Sequence, residues 1–176
     1  MNIDGLGDET IKLLYSKGYL KDISDIYNLD YNSISLIEGH ADKSVDNLKM
    51  GIEKSKSKPF QKVLFGLGIR YVGESASKKI LKKIKSIDEL MLMDLESLSE
   101  IDEIGEKTAV SITNFFKDEN NRNLIDKLKL AGLTFIKNNN NTGSSLSNLT
   151  FVISGVFEKH SRDEIKNLIE INGGKI

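Results

Sequence analysis

Apolar positions in this 176-residue chain fall at helical spacing over most of its length. Val45, Leu48 and Ile52 share one helix face, as do Ala76, Ile80 and Ile84. The stretch "SKPFQKVLFGLG" predicts a helix that starts near Pro59, buries Val63, Leu64 and Leu67 on one face, and ends at Gly68. "SIDELMLMDLESLSEI" predicts two short helices starting near Ser86 and Asp94, and "KDENNRNLIDKLKLAGL" a closing amphipathic helix with Leu124, Leu128 and Ala131 inward. Met91 and Met93 and the scattered phenylalanines read as core filling.

Superimposed on this pattern is a repeat. Four segments align without gaps around Gly7, Ala41, Gly73 and Gly105, at spacings of 34, 32 and 32 residues: "IDGLGDETIKLL", "IEGHADKSVDNL", "IRYVGESASKKI" and "IDEIGEKTAVSI". Four residues before each anchor stands an isoleucine (Ile3, Ile37, Ile69, Ile101), and one after it an acid (Asp8, Asp42, Glu74, Glu106). Three after it comes a small residue (Thr10, Ser44, Ala76, Thr108), and seven after it an aliphatic one (Leu14, Leu48, Ile80, Ile112). A small residue at the anchor suits a turn with positive φ or close backbone approach. The acid complements the dipole of a helix start. The small residue lets that helix start pack closely on the preceding element, and the aliphatic faces the core. Each unit therefore reads as helix, short hairpin, helix.

Such a turn leaves successive backbone N–H groups pointing outward at a helix N-terminus, where the dipole favours an anion. One copy is no more than what any turn between two helices needs. Four copies at a near-constant period supply phosphate contacts at related positions on one duplex, and that favours the binding reading.

Charge sharpens the picture, although the net value is only -1. From Lys49 to Lys85 eleven basic residues face two acids, Glu53 and Glu74, whereas Ser86 to Glu106 holds eight acids and no base. The basic block carries the third hairpin, with Arg70 in its turn and Lys78 and Lys79 at the start of the next helix, an arrangement suited to a phosphate backbone. A solvated lysine-rich face is the plainer alternative.

After Ile136 the character changes. "KNNNNTGSSLSN" is polar and low in complexity and reads as a linker. "LTFVISGVF" then predicts a strand, "SRDEIKNLIEINGGKI" a helix capped by Ser161 with Ile165, Leu168 and Ile169 in register, and "GGKI" the start of another strand. The fold class expected is mainly α: four tandem units in one compact helical domain (1–137), a flexible linker (138–147), and a strand-helix piece of an α/β unit (148–176), too small for its own core, so that the protein is expected to continue beyond it.

Composition then excludes several chemistries. Cysteine is absent, so the chain has no disulfide, thiolate nucleophile or cysteine-ligated zinc. Its two histidines, His40 and His160, are far apart, which disfavours a histidine metal site. There is no run of eighteen apolar residues and no export signal at the N-terminus, so a cytoplasmic protein without membrane contact is expected.

The four units resemble the helix-hairpin-helix repeats in the C-terminal half of bacterial NAD-dependent DNA ligases, and "KPFQKVLFGLGIRYVGESASKKI" is similar to that family's signature around its third hairpin. The tail resembles the first strand and helix of a BRCT domain, which follows the hairpins in that family. The resemblance implies a monomeric clamp that binds nicked double-stranded DNA without base preference, beside the catalytic N-terminal domains of the same chain, in replication and repair. It implies DNA contacts at Gly5, Leu6 and Gly7, at Gly39, His40 and Ala41, at Arg70, Tyr71, Val72 and Gly73, and at Glu103 to Gly105. Lys43, Ser75, Lys78, Lys79 and Lys107 join them from the helix starts that follow. Ser154 and Gly155 fall where phosphopeptide-reading BRCT domains hold phosphate, although a strand-end turn is the plainer reading.

The sequence departs from the family pattern at some positions. Ala41 replaces the second glycine of the second hairpin, and Tyr71 and Glu103 stand where the first glycine of the third and fourth belongs. Glu103 beside Asp102 makes the fourth hairpin a poor phosphate neighbour, so the third hairpin ranks first, the first hairpin next and the fourth last. For a whole ligase the resemblance implies NAD, a divalent metal such as magnesium, and zinc. None of these is expected in this chain, which has neither a KxDG adenylation motif nor a phosphate loop and is expected to be inactive alone. The alternatives are an accessory region of a repair nuclease or junction-binding protein, and a helical protein-interaction scaffold.

Overall fold

The computed structural model describes residues 1–37, 42–137, 145–155, 157 and 160–176. The chain forms two compact units, Met1–Lys137 and Asn138–Ile176. The second hairpin (Gly39, His40, Ala41) and the first seven residues of the expected linker, 138–144, lie outside the described residues.

The first unit is helical. In chain order it contains α1 (Asp8–Ser16), a 3-10 helix (Ile23–Asn28), α2 (Tyr31–Ser35), α3 (Asp42–Lys56), α4 (Phe60–Gly66), α5 (Glu74–Lys83), α6 (Ile87–Leu92), α7 (Leu95–Ser99), α8 (Glu106–Lys117) and α9 (Glu119–Leu130). Local chemistry sets many of the boundaries. Asp22, Asp30, Ser86, Asp94 and Asp118 each accept a hydrogen bond from a backbone N–H in the first turn of the helix they precede. Pro59, with φ fixed near -63°, starts α4, and Gly68, in the left-handed region at φ 70°, ends it.

Two hydrophobic clusters hold the helices together. Leu14, Leu20, Leu29, Ile34, Val45, Leu48 and Ile52 form one, and the other runs from Phe60 to Phe135 through Ile80, Ile101 and Ile112. All four aliphatics seven residues after the anchors, Leu14, Leu48, Ile80 and Ile112, are fully buried, so the repeat marks the core. Of the small residues three after the anchors, Thr10, Ala76 and Thr108 are half-buried and Ser44 is exposed. Met91 and Met93 pack against the larger cluster as expected, and Tyr27 touches both clusters while its hydroxyl accepts from Ser55 Oγ at 3.3 Å.

Asp22 links the 3-10 helix to α9. Its carboxylate accepts from the Ser24 amide at 2.7 Å and pairs with Lys127 Nζ at 3.0 Å. The Ser24 hydroxyl, followed by Lys127, holds this carboxyl below its ordinary range. A carboxylate with a depressed folded pKa stabilises the fold above its unfolded pKa of about 4, and that contribution disappears as pH falls through the folded value. Thermal melts from pH 7 to pH 3 should therefore show a smaller loss below about pH 4 for Asp22→Asn than for the unaltered protein. An equal loss in both would show that this link does not titrate.

The second unit contains α10 (Arg162–Ile171), capped by Ser161, whose hydroxyl accepts from the Glu164 amide while the Glu164 carboxylate accepts from the Ser161 amide. Among the described residues the two predicted strands meet at one parallel bridge, Thr150 to Lys175, with the Phe151 amide donating to the Lys175 carbonyl at 2.8 Å. Among the described residues neither extends into a ladder, in keeping with the weakness of an isolated strand pair. Ile169 is buried and Leu168 is exposed, so only part of the apolar register of α10 faces inward. The carbonyl of Gly155 accepts from Arg162 Nη2 at 3.1 Å, which closes the turn after Ser154.

Candidate nucleic-acid interface

The three described hairpins share one backbone geometry. The Leu6 amide donates to Ile3 O at 3.2 Å, the Val72 amide to Ile69 O at 3.0 Å, and the Ile104 amide to Ile101 O at 2.9 Å. In each turn the third residue is left-handed: Gly5 at φ 80°, Tyr71 at 67° and Glu103 at 65°. A hydrogen bond from residue i+3 to residue i with positive φ at i+2 is the pattern of a type II turn. The expected positive φ at the anchor glycines is thus displaced by two residues. Gly7, Gly73 and Gly105 have ordinary φ of -85°, -81° and -76° and serve as the N-caps of α1, α5 and α8.

Why glycine stands at the anchors is therefore not a matter of backbone conformation. Nor is it crowding, because a Cβ added at Gly7, Gly73 or Gly105 would meet nothing within 4 Å. An Asp or Ser there would also cap the helix, as it does at Asp22, Asp30, Ser86, Asp94, Asp118 and Ser161, yet none of these three N-termini has a side-chain cap. The fold itself does not call for glycine at these places. Three helix N-termini with outward amides, a favourable dipole and no side chain in the way are surfaces onto which an anionic group can come close.

The third and fourth hairpins also frame an open cleft of about 550 Å³, lined by Arg70 and Tyr71 of the turn and by Glu106, Lys107, Val110, Ser111 and Asn114 of α8. The Arg70 guanidinium lies over the Tyr71 ring at 5.0 Å. Arg70 and Lys107 are exposed, and Tyr71 keeps 55% of its surface in solvent. Of the α8 lining, Lys107 is among the expected contact residues, whereas Glu106, Val110, Ser111 and Asn114 are not. Lys107, Val110, Ser111 and Asn114 are spaced i, i+3, i+4, i+7 and so form one helix face, opposite the buried Ala109, Ile112 and Phe116; the half-exposed Val110 on that polar face was the available signal.

The other expected contact residues divide by environment. The Val72 side chain is buried and Leu6 is half-buried against the smaller cluster, so both offer only backbone outward. Gly5, Gly7, Gly73, Gly105, Lys43, Ser75, Lys78 and Lys107 are exposed. Lys79 is engaged inside the molecule: its ammonium pairs with Asp102 at 2.6 Å and Glu103 at 3.0 Å, and Ser75 Oγ donates to Glu103 at 3.3 Å. The Asp102 partner comes first in raising the Lys79 pKa, and Lys79 in turn lowers that of Asp102. Lys62 likewise pairs with Glu74, the acid after Gly73, at 2.6 Å.

A left-handed conformation costs a non-glycine residue about 1 kcal/mol. For Glu103 the bonds to Ser75 and Lys79 offset that cost. Tyr71 has no counterpart to them; its only polar or ring partner among the described residues is Arg70.

Comparison with known proteins agrees with this organisation. A model of the SAM-like helix-hairpin-helix tandem matches residues 1–54, a helix-hairpin-helix motif matches 62–125, and the BRCA1 C Terminus (BRCT) domain matches 141–176. The chain is 49% identical over 178 residues to a DNA ligase of Bacteroides fragilis, covering 99% of this chain and 27% of the relative. It is 46% identical over 179 residues to a DNA ligase of Flavobacterium psychrophilum and 42% identical over 179 to one of Natranaerobius thermophilus, each time covering 100% of this chain and 27% of the relative. It thus spans about a quarter of the length of these curated relatives. Among the described residues no helix is long and apolar enough to cross a membrane.

Proposed function

Because the chain is a homologue of the helix-hairpin-helix and BRCT region of bacterial DNA ligases, we propose that it holds a nicked DNA duplex by its sugar-phosphate backbone within a nick-sealing, NAD-dependent ligase of the bacterial cytoplasm. Residues 1–137 are the DNA-binding domain in this reading, 138–147 the linker and 148–176 part of a BRCT domain. The observation that carries it is the trio of uncapped, unobstructed glycine N-caps at Gly7, Gly73 and Gly105. Backbone amides at the starts of α1 and α5 donate to phosphate oxygens, and Arg70, Lys78 and Lys107 add charge. None of these groups reaches for a base edge, so binding is indifferent to sequence.

The groups that a whole ligase uses for chemistry find no donor set here. The sequence holds no cysteine for a zinc site and no KxDG lysine to take a nucleotide, and the described residues contain no cluster of three or more His, Asp or Glu for a metal ion. Adenylation, transfer to the 5′ phosphate and sealing therefore belong to other domains. This chain positions the duplex for them, most strongly at the third hairpin and least at the fourth, where Asp102 and Glu103 are committed to Lys79.

The test is fluorescence-anisotropy binding to nicked, continuous and four-way-junction DNA over a salt series. Affinity for nicked duplex should fall steeply with salt, and Arg70→Ala with Lys107→Ala should make the log-log slope shallower by roughly 2. Gly73→Ser places its Cβ in open space at an extended N-cap and can cap α5, so its melting temperature should hold or rise while its affinity drops. Binding that prefers the junction would favour a junction-protein accessory region, and salt-independent or absent binding by the folded chain a protein scaffold.

A further inference from the structure

Two equivalent turn positions are held in a left-handed conformation by residues other than glycine, and only at one does the side chain bond back to the fold. Glu103 is bonded to Ser75 and Lys79. Tyr71 faces the opposite situation: its ring stands in solvent at the lip of the α8 cleft, backed by the Arg70 guanidinium and two residues from the Gly73 N-cap. The buried Val72 holds the turn, but nothing in the fold uses the exposed ring at a position where glycine would be less strained, and a large side chain kept there points to a use outside the fold.

We propose that the Tyr71 ring is a wedge, packing against deoxyribose and an exposed base step beside the phosphate held at Gly73, and that this contact makes the third hairpin favour a nicked over a continuous duplex. The reading rests on the DNA-binding function proposed above. The chemistry is consistent at each point. The ring is an apolar, flat surface of the kind that enters opened base steps, and a nick offers a step whose unstacking is least costly. Arg70, stacked behind the ring, carries the positive charge to the adjacent phosphates, and Lys107 does so from the far wall of the cleft. Val110, with 38% of its surface exposed on that wall, adds an apolar patch that a sugar can cover.

The test compares the 176-residue chain with Tyr71→Gly and Tyr71→Phe on nicked and continuous duplexes of one sequence. Bending is read by energy transfer between dyes at the duplex ends, and unstacking by 2-aminopurine beside the nick. Tyr71→Gly keeps the turn in the conformation that glycine prefers, so its melting temperature should hold or rise, and its salt slope should match the parent because the phosphate contacts remain. Its preference for the nicked duplex should fall by roughly tenfold, the size of one lost stacking contact, with the bend and the 2-aminopurine signal. Tyr71→Phe should retain all three. If Tyr71→Gly retains the preference and both signals, the wedge is overturned while DNA binding stands. If the parent chain binds no duplex at all, the underlying function fails with it. Tyr71→Asn, which also tolerates the left-handed region, gives the same reading should the glycine variant melt early.

Discussion

Changing Ile112 to alanine is expected to destabilise the first unit by about 2–5 kcal/mol, the largest effect of any single change considered for this chain. Ile112 is fully buried in α8 and belongs to the cluster that includes Ile80, Leu98, Ile101 and Ile104. Removing its outer carbons forfeits their transfer from water and leaves a cavity that helices on all sides cannot close. A urea titration followed by far-ultraviolet circular dichroism should show the midpoint shift, with Val110→Ala on the exposed face of the same helix moving it little. Equal shifts for the two would show that α8 does not bury the face described. Saturating nicked DNA should restore much of the loss, because a ligand that binds only the folded state stabilises it by mass action.

Gly51→Ala is expected to be the next most damaging, against the usual sign. Within an exposed helix, glycine to alanine gains roughly 0.5–1 kcal/mol. Here the new Cβ would lie 2.1 Å from the carbonyl oxygen of Asp4, so α3 and the first hairpin cannot both keep their places. Overpacking of this kind costs about 1–3 kcal/mol. The counterpart contact is also tight: a Cβ on Gly5, already at φ 80°, would meet Leu48 Cα at 2.9 Å. If the hairpin yields first, thermal stability falls less but the amides of Leu6 and Ile11 exchange faster and affinity for nicked DNA drops, since the N-terminus of α1 is displaced. Alanine raising the melting point with DNA affinity intact would show that the turn does not rest on α3.

These two sites also mark what could be read in the sequence. The aliphatic column that contains Ile112 repeats at the spacing of the units, and a column with one chemical character is visible without coordinates. Ser86, Asp94 and Ser161 announced their helices because capping is a contact between near neighbours. Gly51 carried no such mark, since its neighbour Asp4 is 47 residues earlier. The left-handed position was hidden for a different reason: its column reads Gly5, Tyr71 and Glu103, and packing of Val72 and Ile104 beneath the turn overrides what the last two residues would choose alone. The 3-10 helix and α2 escaped because they are too short for periodicity, although Asp22 and Asp30 as caps were there to be used. The pairing of Lys79 is not legible either, because its acids, 23 and 24 residues away, are beyond any local pattern. The site on Gly39, His40 and Ala41 lies outside the described residues.

That pairing of Lys79 has a kinetic side. The basic stretch ending at Lys85 and the acidic stretch after it would, laid end to end, make a strong dipole, but Lys79 with Asp102 and Glu103, and Lys129 with Asp88, place opposite charges in contact. Seen from a distance the chain is close to neutral, at a formal -1. A polyanion therefore feels little pull until it is within about one Debye length, roughly 8 Å at physiological salt, where single exposed cations such as Arg70 and Lys107 act locally. On the DNA-binding function proposed above, encounter with the double helix is expected to be governed by diffusion and correct orientation, with association rates nearer the ordinary range than the electrostatically steered one.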